Sequence, residues 1–459
     1  MKTAHNIRNR LWNVRLSMRG SAPQKYRELS EWQGLSRDDL RSRQEAALRS
    51  LLRSAHQHVP YYREIISKHG LVDGGDIRLE RFSSFPLLDK ELLRDRFEEL
   101  KSDDLNTRKW KYNTSGGSTG EPVRFIQDRE QHSWALAVKQ LFNYWSGYEI
   151  GMPRVRLWGS ERDLLVGNET LKTKVGRWLR NEHYLNAFRM GEDRMRQFVR
   201  AINEVQPVQI LAYVESLYEL AQFIERNALS VHAPQAVMTS AGTLYPHMRE
   251  TIKRVFRAPV FNRYGSREAG DLACECEAHE GLHVCAPTHY VEILRPDGSP
   301  TEPGEVGEIV VTLLTNRSMP LIRYRIGDMG AWAEGACSCG CSWPLLAKVT
   351  GRVSDTFVIR HGDAIHGEYF THLFYHEDWV QKFQVVQESV DRIVIKTVPR
   401  ENGVDCERQY QEEMQAITRD IRSAMGASCE VEFQFEDDIA PTDSGKYRYT
   451  ISKVERALS

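Results

Sequence analysis

The clearest pattern in this chain is an alternation of short apolar runs with amphipathic segments between residues 209 and 265. Apolar runs at 210–213, 236–240 and 259–265 are separated by helical patterns over 215–228 and 245–256. Such alternation with short connections is typical of parallel βαβ units, whose ligands bind beyond the carboxyl ends of the strands. We therefore expect residues 240–243 and 264–268 to lie on one rim of a sheet.

The flanking patterns predict a large α/β domain followed by a small one. Upstream, the spacing predicts helices over 36–58 and 128–144, a strand at 154–158 and a solvated basic helix over 172–180. After residue 285 the chain becomes β-rich and predicts a mainly antiparallel subdomain. Beyond a boundary near 351–355, an α+β domain is predicted, with strands at 357–359, 383–387, 392–397 and 430–435 and a helix near 407–425.

Residues 1–20 carry five cations and no acid, and their apolar residues Ile7, Leu11, Val14 and Met18 recur at helical spacing. They lack the continuous apolar core of a secretory signal. This pattern fits a helix lying on an anionic membrane surface, or a terminal helix docked on the protein body. We favour the docked helix and keep a weak peripheral membrane contact as the alternative.

Composition excludes several classes of protein. Lys and Arg total 62, Asp and Glu 63, and the net charge is −1, so overall charge does not favour a nucleic-acid partner. Apolar residues make up 41% of the chain, as in folded globular proteins. No apolar run approaches the roughly 18 residues that a membrane span needs. We expect a cytoplasmic protein.

Seven consecutive residues, 114–120, are glycine or carry a hydroxyl group, and a strand pattern follows them. Backbone N–H groups and hydroxyls in such a loop form a concave nest that suits phosphate oxygens. The loop lacks the Lys of a Walker A motif, and a flexible linker has a similar composition. The loop alone leaves both interpretations open.

Three further motifs follow this loop in a fixed order: Tyr264-Gly265-Ser266-Arg267-Glu268, then Tyr324-Arg325-Ile326-Gly327-Asp328 with Gly351-Arg352, then Pro441-Thr442-Asp443-Ser444-Gly445-Lys446. With them the chain resembles the acyl-adenylate-forming (ANL) superfamily from about residue 110 to 450. Within that superfamily it is most similar to the phenylacetate-CoA ligase family, particularly its CapK-like branch. Residues 367–374 and 383–387 carry the likeness to that branch.

The resemblance implies the ANL adenylating fold and its two domains. An N-terminal adenylate-forming domain would span 1–353, with a zinc-binding β subdomain at about 270–350. A mobile C-terminal domain would span 354–459 and carry the catalytic lysine. The family hinge usually has Asp or Lys after Gly-Arg-x, but here Ser354 stands there and Asp355 follows. This departure concerns the hinge on which domain rotation and the use of CoA depend, and not the adenylation motifs.

The resemblance also implies a role for each motif. Glu268 corresponds to the acid that binds Mg²⁺, with Thr119 nearby, Lys446 to the catalytic lysine, and Arg352 to a contact with ribose or phosphate. Tyr264 would stack on adenine, and Asp328 would accept hydrogen bonds from the ribose. The implied nucleotide-binding set is Thr114, Ser115, Gly116, Gly117, Ser118, Thr119, Gly120, Ser240, Ala241, Gly242, Tyr264, Gly265, Ser266, Asp328 and Arg352.

Six of the eight cysteines fall between residues 274 and 341, which in a long chain without a signal sequence indicates metal ligands rather than disulfides. Cys276, His283, Cys337 and Cys339 form a soft donor set that suits tetrahedral Zn²⁺. Several phenylacetate-CoA ligase-like proteins have a comparable set, which implies a structural zinc. The competing ligands are Cys274, His279, Cys285 and Cys341, and reduced thiols without metal are the other interpretation.

The leading hypothesis is an ATP-dependent acid ligase that forms an acyl-AMP and releases pyrophosphate. Its acceptor would be CoA, a carrier-protein thiol, or a sugar or amine, and the CapK-like resemblance suggests surface-polysaccharide or natural-product biosynthesis. Two alternatives remain: an adenylyltransferase that acts on a cofactor, as a related coenzyme synthetase does, and a non-catalytic protein that kept the fold. An acyl pocket is expected near Tyr213, Ser216, Ser240 and Tyr264.

Overall fold

The computed structural model describes residues 2–114, 123–158, 171–187, 190–352, 356–359, 364–366, 369–370, 373–374, 377, 379–400, 409–440 and 448–454. The chain divides into two compact units. The first comprises Met1–Ile326 with Gly330–Val349, and the second comprises Gly327–Met329 with Thr350–Ser459. The predicted boundary between residues 353 and 354 falls outside the described residues.

The described helices are α1 (Lys2–Arg19), α2 (Ala22–Gln33), α3 (Arg37–His58), α4 (Pro60–Lys68), α5 (Lys90–Asp95), α6 (Arg129–Trp145), α7 (Leu171–Arg180), α8 (Glu192–Val205), α9 (Val214–Arg226), α10 (Pro246–Phe256) and α11 (Gln411–Met425). Some of them begin with a side-chain cap. The Ser36 hydroxyl accepts the Asp39 N–H at the start of α3, and the Asp128 carboxylate accepts the Gln131 N–H at the start of α6. Among these helices, none has the length and apolarity needed to cross a membrane.

The strands of the first unit's main sheet are β5 (Arg154–Trp158), β6 (Glu182–Asn186), β7 (Gln209–Tyr213), β8 (Ala236–Ser240), β9 (Val260–Ser266), β10 (Gly270–Glu275), β11 (Leu282–Val284), β12 (His289–Leu294), β13 (Gly307–Leu313), β14 (Tyr324–Trp332) and β15 (Leu345–Arg352). Within the described part of the chain they form one sheet in the order β12-β13-β14-β15-β11-β10-β9-β8-β7-β5-β6. Two hairpins lie outside it, β1 (Val72–Asp73) with β2 (Asp76–Ile77) and β3 (Trp110–Thr114) with β4 (Arg124–Asp128).

The predicted α/β architecture is confirmed. Strands β5 to β9 pair in parallel, with helices between them along the chain. From β9 to β10, β11 and β15, and between β12 and β13, the pairing is antiparallel. The β-rich stretch after residue 285 therefore continues the parallel sheet rather than forming a separate one.

The core packs on this sheet in separate clusters. One joins α3, α4, α5 and the β3–β4 hairpin to the antiparallel strands, around the fully buried rings of Tyr62, Phe85 and Tyr324. Another joins β5, β7 and β8 to α8, α9 and α10, through residues such as Phe223 and Phe256. Apolar residues on both faces of the parallel strands explain their nearly continuous hydrophobic sequence.

Helix α1 is docked on the first unit, but not through the apolar residues that the spacing singles out. Trp12 and Leu16 are buried and pack with Leu179 of α7. Ile7, Leu11 and Val14 are exposed instead. The helix therefore has two apolar faces, and the regular spacing of apolar residues marks the uncovered one.

The second unit is α+β, as predicted. Its four-stranded sheet has the order β20-β19-β18-β21, formed by β18 (Val380–Ser389), β19 (Arg392–Pro399), β20 (Glu430–Phe435) and β21 (Thr450–Ser452). Strands β18 and β19 are antiparallel, whereas β20 and β21 join the edges in parallel. Ile417 and Ile421 of α11 share its core, and β16 (Thr356–Val358) pairs with β17 (Ala364–His366).

Candidate functional site

The carboxyl ends of β7, β8 and β9 form one rim of the sheet. Tyr213 is paired with Ser240, and Ser240 with Arg263, in parallel register. The backbone therefore brings Tyr213, Ser240 and Tyr264 to the same edge, where the sequence predicts adenine and the acid to bind. The Tyr213 ring also packs against the Trp158 ring, with centroids 4.1 Å apart and planes inclined by 38°.

Residues 240–242 leave β8 through a tight turn that depends on glycine. Ala241 has a left-handed backbone, with φ of 67°. A Cβ on Gly242 would lie 2.2 Å from Oε1 of Glu215, in the first turn of α9. The Glu215 carboxylate therefore lies directly against the Gly242 backbone. Sequence reasoning missed Glu215, because nothing in its local pattern distinguishes it from an ordinary first-turn acid.

A second close approach shapes the turn after Tyr264. A Cβ on Gly265 would lie 2.2 Å from the carbonyl oxygen of Gly270, because β9 and β10 form a tight hairpin there. The Ser266 hydroxyl accepts the Ala269 N–H at 3.1 Å and closes the turn. Glu268, the predicted Mg²⁺ ligand, lies within this turn and is buried.

Two ion pairs that sequence reasoning missed hold this hairpin in place. Arg249 of α10 donates to both carboxylate oxygens of Glu275, at 2.5 and 3.1 Å, and the same carboxylate accepts the backbone N–H of Asn262. Arg263 lies 3.4 Å from Asp271. Burial raises the pKa of Asp271, but Arg263 and Lys139 outweigh that effect and lower it. Long-range pairs of this kind have no local sequence signal.

The β3–β4 hairpin positions the two ends of the glycine-rich loop. Thr114 ends β3 and is paired with Arg124 at the start of β4. The Asn113 side chain accepts the Thr114 N–H at 2.9 Å and donates to Gln127. The remaining predicted phosphate-binding residues, Ser115, Gly116, Gly117, Ser118, Thr119 and Gly120, lie outside the described residues.

The Tyr324–Asp328 motif lies inside strand β14 and is not a turn. Gly327 has φ of 85°, and Asp328 is half-buried. Arg325 forms a bidentate pair with Glu308, with distances of 2.7 to 3.0 Å. The motif is thus part of a strand that the Arg325–Glu308 ion pair holds in place.

The structure describes only part of the predicted site residues that follow residue 350. Arg352 ends β15, and its side chain is outside the described set. Lys446 and the hinge residues Ser354 and Asp355 fall in segments that are not described. Their roles stay predictions, as does the role of Asp328 at the ribose.

The four predicted zinc ligands converge at one point of the first unit. Cys276 follows β10, His283 lies in β11, and Cys337 and Cys339 lie in the turn between β14 and β15. Their ligand atoms all lie within 4.8 Å of one another. The Cys276 and Cys337 Sγ atoms are 3.6 Å apart, and Cys339 Sγ is 3.3 Å from His283 Nε2.

These separations fit a tetrahedral zinc site. With Zn–S near 2.3 Å and Zn–N near 2.0 Å, neighbouring ligand atoms would be about 3.5 to 3.8 Å apart. The turn is fixed by Glu280, whose carboxylate accepts the Ser338 N–H and hydroxyl, both at 2.7 Å. The Cys341 N–H donates to Cys339 Sγ at 3.4 Å, as expected for a thiolate ligand.

Burial disfavours the charged thiolate form of the cysteines in this cluster. It raises the pKa of Cys276 to about 12 and also raises that of Cys337. It lowers the pKa of His283, which favours the neutral imidazole that metals bind. A divalent cation would offset the charge of deprotonated thiols here, so the donor set fits Zn²⁺.

The competing ligands lie elsewhere. Cys274 and Cys285 are buried in the apolar cluster that also contains Trp134 and Phe142. His279 Nδ1 is 3.1 Å from the Glu275 carboxylate. Cys341 packs against the same apolar cluster as Cys285. The described cysteines between residues 274 and 341 are free thiols rather than disulfides.

Known proteins are similar to this chain both in its C-terminal part and over most of its length. Residues 357–453 match the family described as the CapK C-terminal domain. The chain is 24% identical over 399 residues to Protein CapK of Staphylococcus aureus, covering 86% of this chain and 85% of that one. It is 24% identical over 343 residues to a phenylacetate-coenzyme A ligase of Thermus thermophilus, covering 72% and 74%.

Solved structures show the same fold. A 2-hydroxyisobutyryl-CoA ligase in the postadenylation state superposes with a TM-score of 0.68 at 19% identity, over 90% of this chain and 88% of that one. A fatty acyl-adenylate ligase is also similar, with a TM-score of 0.55 at 16% identity, over 73% of this chain and 67% of that one. Identities this low support the shared fold and nothing more specific.

Proposed function

Because the chain belongs to the acyl-adenylate-forming superfamily of ATP-dependent acid ligases, in the phenylacetate-CoA ligase group with CapK as a relative, we propose that it activates a carboxylic acid as an acyl-AMP and transfers the acyl group to CoA. In the first step a carboxylate oxygen bonds to the α-phosphorus of ATP, and pyrophosphate leaves. In the second step the CoA thiol sulfur, after losing its proton, bonds to the acyl carbon, and AMP leaves.

The observation that carries this proposal is the common rim formed by β7, β8 and β9. It places Ser240, Ala241 and Gly242 beside Tyr264, Gly265 and Ser266. A flat aromatic ring beside a glycine turn suits a purine base, since glycine lets the ligand approach the backbone closely. Tyr213 and Ser216 at the same rim would line the acid pocket.

The phosphates would be held by Thr114 and the loop Ser115–Gly120, whose N–H and hydroxyl groups suit phosphate oxygens. Glu268 would hold a Mg²⁺ ion, with Thr119 as a further oxygen ligand, and this cation would neutralise phosphate charge when bound. Glu268 suits that role because a carboxylate buried in a fixed turn presents its oxygens with little freedom to move. Asp328 and Arg352 would contact the ribose.

Lys446 would be the catalytic cation of the second unit. Negative charge grows on the α-phosphate oxygens as the carboxylate attacks, and an ammonium group held nearby stabilises it. Arg352 would add a second positive charge on the ribose or phosphate. Both assignments depend on the resemblance of their motifs to those of the superfamily.

The zinc cluster would be structural. Cys276, His283, Cys337 and Cys339 supply four donors, which completes a tetrahedral shell and leaves no position for a substrate. The metal would tie the end of β10 and strand β11 to the β14–β15 turn. It would therefore support the hairpin that carries Glu268 without taking part in acyl transfer.

The proposal also covers the pathway, the acyl acceptor and the cellular compartment of the reaction. We propose, from the resemblance to the CapK-like branch, that the acyl group is incorporated into surface polysaccharide or a natural product. A carrier-protein thiol, an amine or a sugar would then be an alternative acceptor to CoA. We propose a cytoplasmic enzyme, where ATP and CoA are available.

ATP–pyrophosphate exchange with a panel of aryl, amino and hydroxy acids tests the proposal. We expect acid-dependent exchange with at least one class of acid, followed by AMP release when CoA is added. Exchange without CoA-dependent release would keep acid activation and change the acceptor. No exchange with any acid, together with AMP transfer to a cofactor, would overturn acid activation.

A further inference from the structure

Helices α1 and α7 pack together and leave large apolar side chains of both helices exposed. Their buried side is formed by Trp12, Leu16 and Leu179. Their uncovered side, which we call the α1–α7 face, consists of Ile7, Leu11, Val14, Val175 and Trp178, exposed by 53, 47, 55, 45 and 55% respectively. These five are half of the ten exposed large hydrophobic residues in the described part of the chain. Their concentration on two helices is not expected of a solvated surface.

Specific contacts hold the two helices in one orientation. The Arg8 guanidinium lies over the Trp178 ring, 5.1 Å from its centroid. Gly176 is buried, and a Cβ there would lie 3.6 Å from the guanidinium of Arg15. Arg180 lies over Trp12 at 5.5 Å. The α1–α7 face is therefore a fixed surface to which both helices contribute.

The same helices carry an unusual concentration of positive charge. α1 contains five Lys or Arg residues and α7 contains four, and neither contains Asp or Glu. The whole chain has a net charge of −1, so these nine cations are offset by acids on other elements. Acidic side chains of other elements contact the pair of helices. The Arg180 Nε donates to the Glu182 carboxylate at 2.8 Å, and the Asn9 amide donates to the Glu149 carboxylate at 3.5 Å.

An apolar face on two helices whose sequences carry basic but no acidic residues matches one kind of surface. Apolar side chains enter the boundary between headgroups and acyl chains of a bilayer, while Lys and Arg contact anionic headgroups. An exposed indole such as that of Trp178 also favours this boundary. A second copy of the chain is a poor partner, because a symmetric contact would bring two helices with basic and no acidic residues against the same two helices of the other copy.

We propose that the α1–α7 face docks the enzyme on an anionic lipid bilayer, with Ile7, Leu11, Val14 and Trp178 inserted at the interface. The enzyme would then form its acyl product beside the membrane. The surface requires no helix that spans the bilayer. It is independent of the adenylation chemistry, so the two can fail separately.

Co-sedimentation of the full chain with vesicles tests this docking. We expect binding to mixed phosphatidylglycerol and phosphatidylcholine vesicles, weakening as salt increases, and at least about ten-fold weaker binding to phosphatidylcholine alone. Ile7→Gln/Leu11→Gln/Val14→Gln, and separately Trp178→Gln, should each weaken binding to the mixed vesicles. Tyr144→Gln/Val306→Gln removes two exposed apolar side chains elsewhere and should bind as the parent does.

Thermal unfolding and pyrophosphate exchange of each variant show whether it is folded and active. The proposal is overturned if the parent does not bind the mixed vesicles, binds both kinds equally, or binds as well after the α1 triple substitution. It is also overturned if the parent sediments as a dimer that the triple substitution dissociates. In that case a second copy covers this face.

Discussion

The carboxylate of Glu215 occupies the space that a Cβ on residue 242 would need, with Oε1 2.2 Å from the ideal position of that atom. Gly242 therefore leaves room for the Glu215 carboxylate of α9 to lie against the turn that follows β8. The neighbouring Ala241 already has a strained left-handed backbone, so this turn has little freedom to adjust. We consider the pair a determinant of the shape of the proposed nucleotide site.

Gly242→Ala should displace the Glu215 carboxylate, which is the end of a flexible side chain. We expect the free energy of unfolding to fall by no more than about 1 kcal/mol and ATP binding to weaken. Denaturant unfolding and calorimetric titration with ATP measure these effects. Gly34→Ala is the control, because a Cβ there meets only ordinary contact at 3.9 Å.

The double variant Gly242→Ala/Glu215→Ala separates two explanations of that loss. If the overlap with the carboxylate is the cause, removing it should restore part of the stability lost by Gly242→Ala. Equal losses with and without Glu215 would mean that the backbone at 242, and not the carboxylate, requires glycine.

The buried ion pair between Arg154 and Glu182 should give the stability of the first unit a pH dependence. Burial raises the pKa of Glu182, but Arg154 and Arg180 outweigh it and bring the pKa to about 2 from an ordinary value of 4.5. A carboxyl group with a lowered pKa stabilises the fold above its unfolded pKa. That contribution, about 3 kcal/mol, is lost as the pH falls from 4.5 through 2.

Glu182→Gln should remove this pH dependence and leave the Arg154 charge buried without its partner. Near neutral pH we expect the variant to lose about 3 to 5 kcal/mol of unfolding free energy. Chemical denaturation between pH 7 and about 3 measures both effects. Glu225→Gln breaks a surface pair with Arg254 and should cost no more than about 1 kcal/mol, so a similar loss in both variants would contradict our account.

The sequence predicts some parts of this fold well for a physical reason. Strands β7, β8 and β9 pack in the interior of the sheet, so each appears as a short apolar run. In the helices between them, apolar residues recur at helical spacing. The caps Ser36 and Asp128 are local signals of helix start. These features depend on residues close in sequence.

Other parts depend on residues far apart and could not be predicted. The pairing of β11 with β15 joins His283 to Leu345, and this contact makes the antiparallel strands continue the main sheet. Likewise, α1 carries two apolar faces, and its periodicity cannot show that Trp12 is covered while Leu11 is exposed. The Arg249–Glu275 pair beside the candidate site has the same long-range character.

The cysteine cluster should hold one zinc per chain. Cys337→Ser and Cys339→Ser should lower the zinc content and the melting temperature, because each removes one of four donors. Elemental analysis and thermal unfolding with and without a chelator measure this. Cys429→Ser removes a buried thiol in the second unit and should keep the metal. A metal-free parent protein with the same melting temperature would contradict the assignment.

Lys446 should be required for adenylation and not for binding ATP. Its ammonium charge would matter most when negative charge grows on the α-phosphate, so Lys446→Ala should slow acid-dependent pyrophosphate exchange by at least about 100-fold. The dissociation constant for ATP should change little, because the ground-state nucleotide has other contacts. Lys453→Ala provides the matched control, since this lysine pairs with Glu388 at 2.7 Å and should leave exchange unchanged. If Lys446→Ala weakens ATP binding as much as it slows exchange, Lys446 contributes to binding rather than to the transition state.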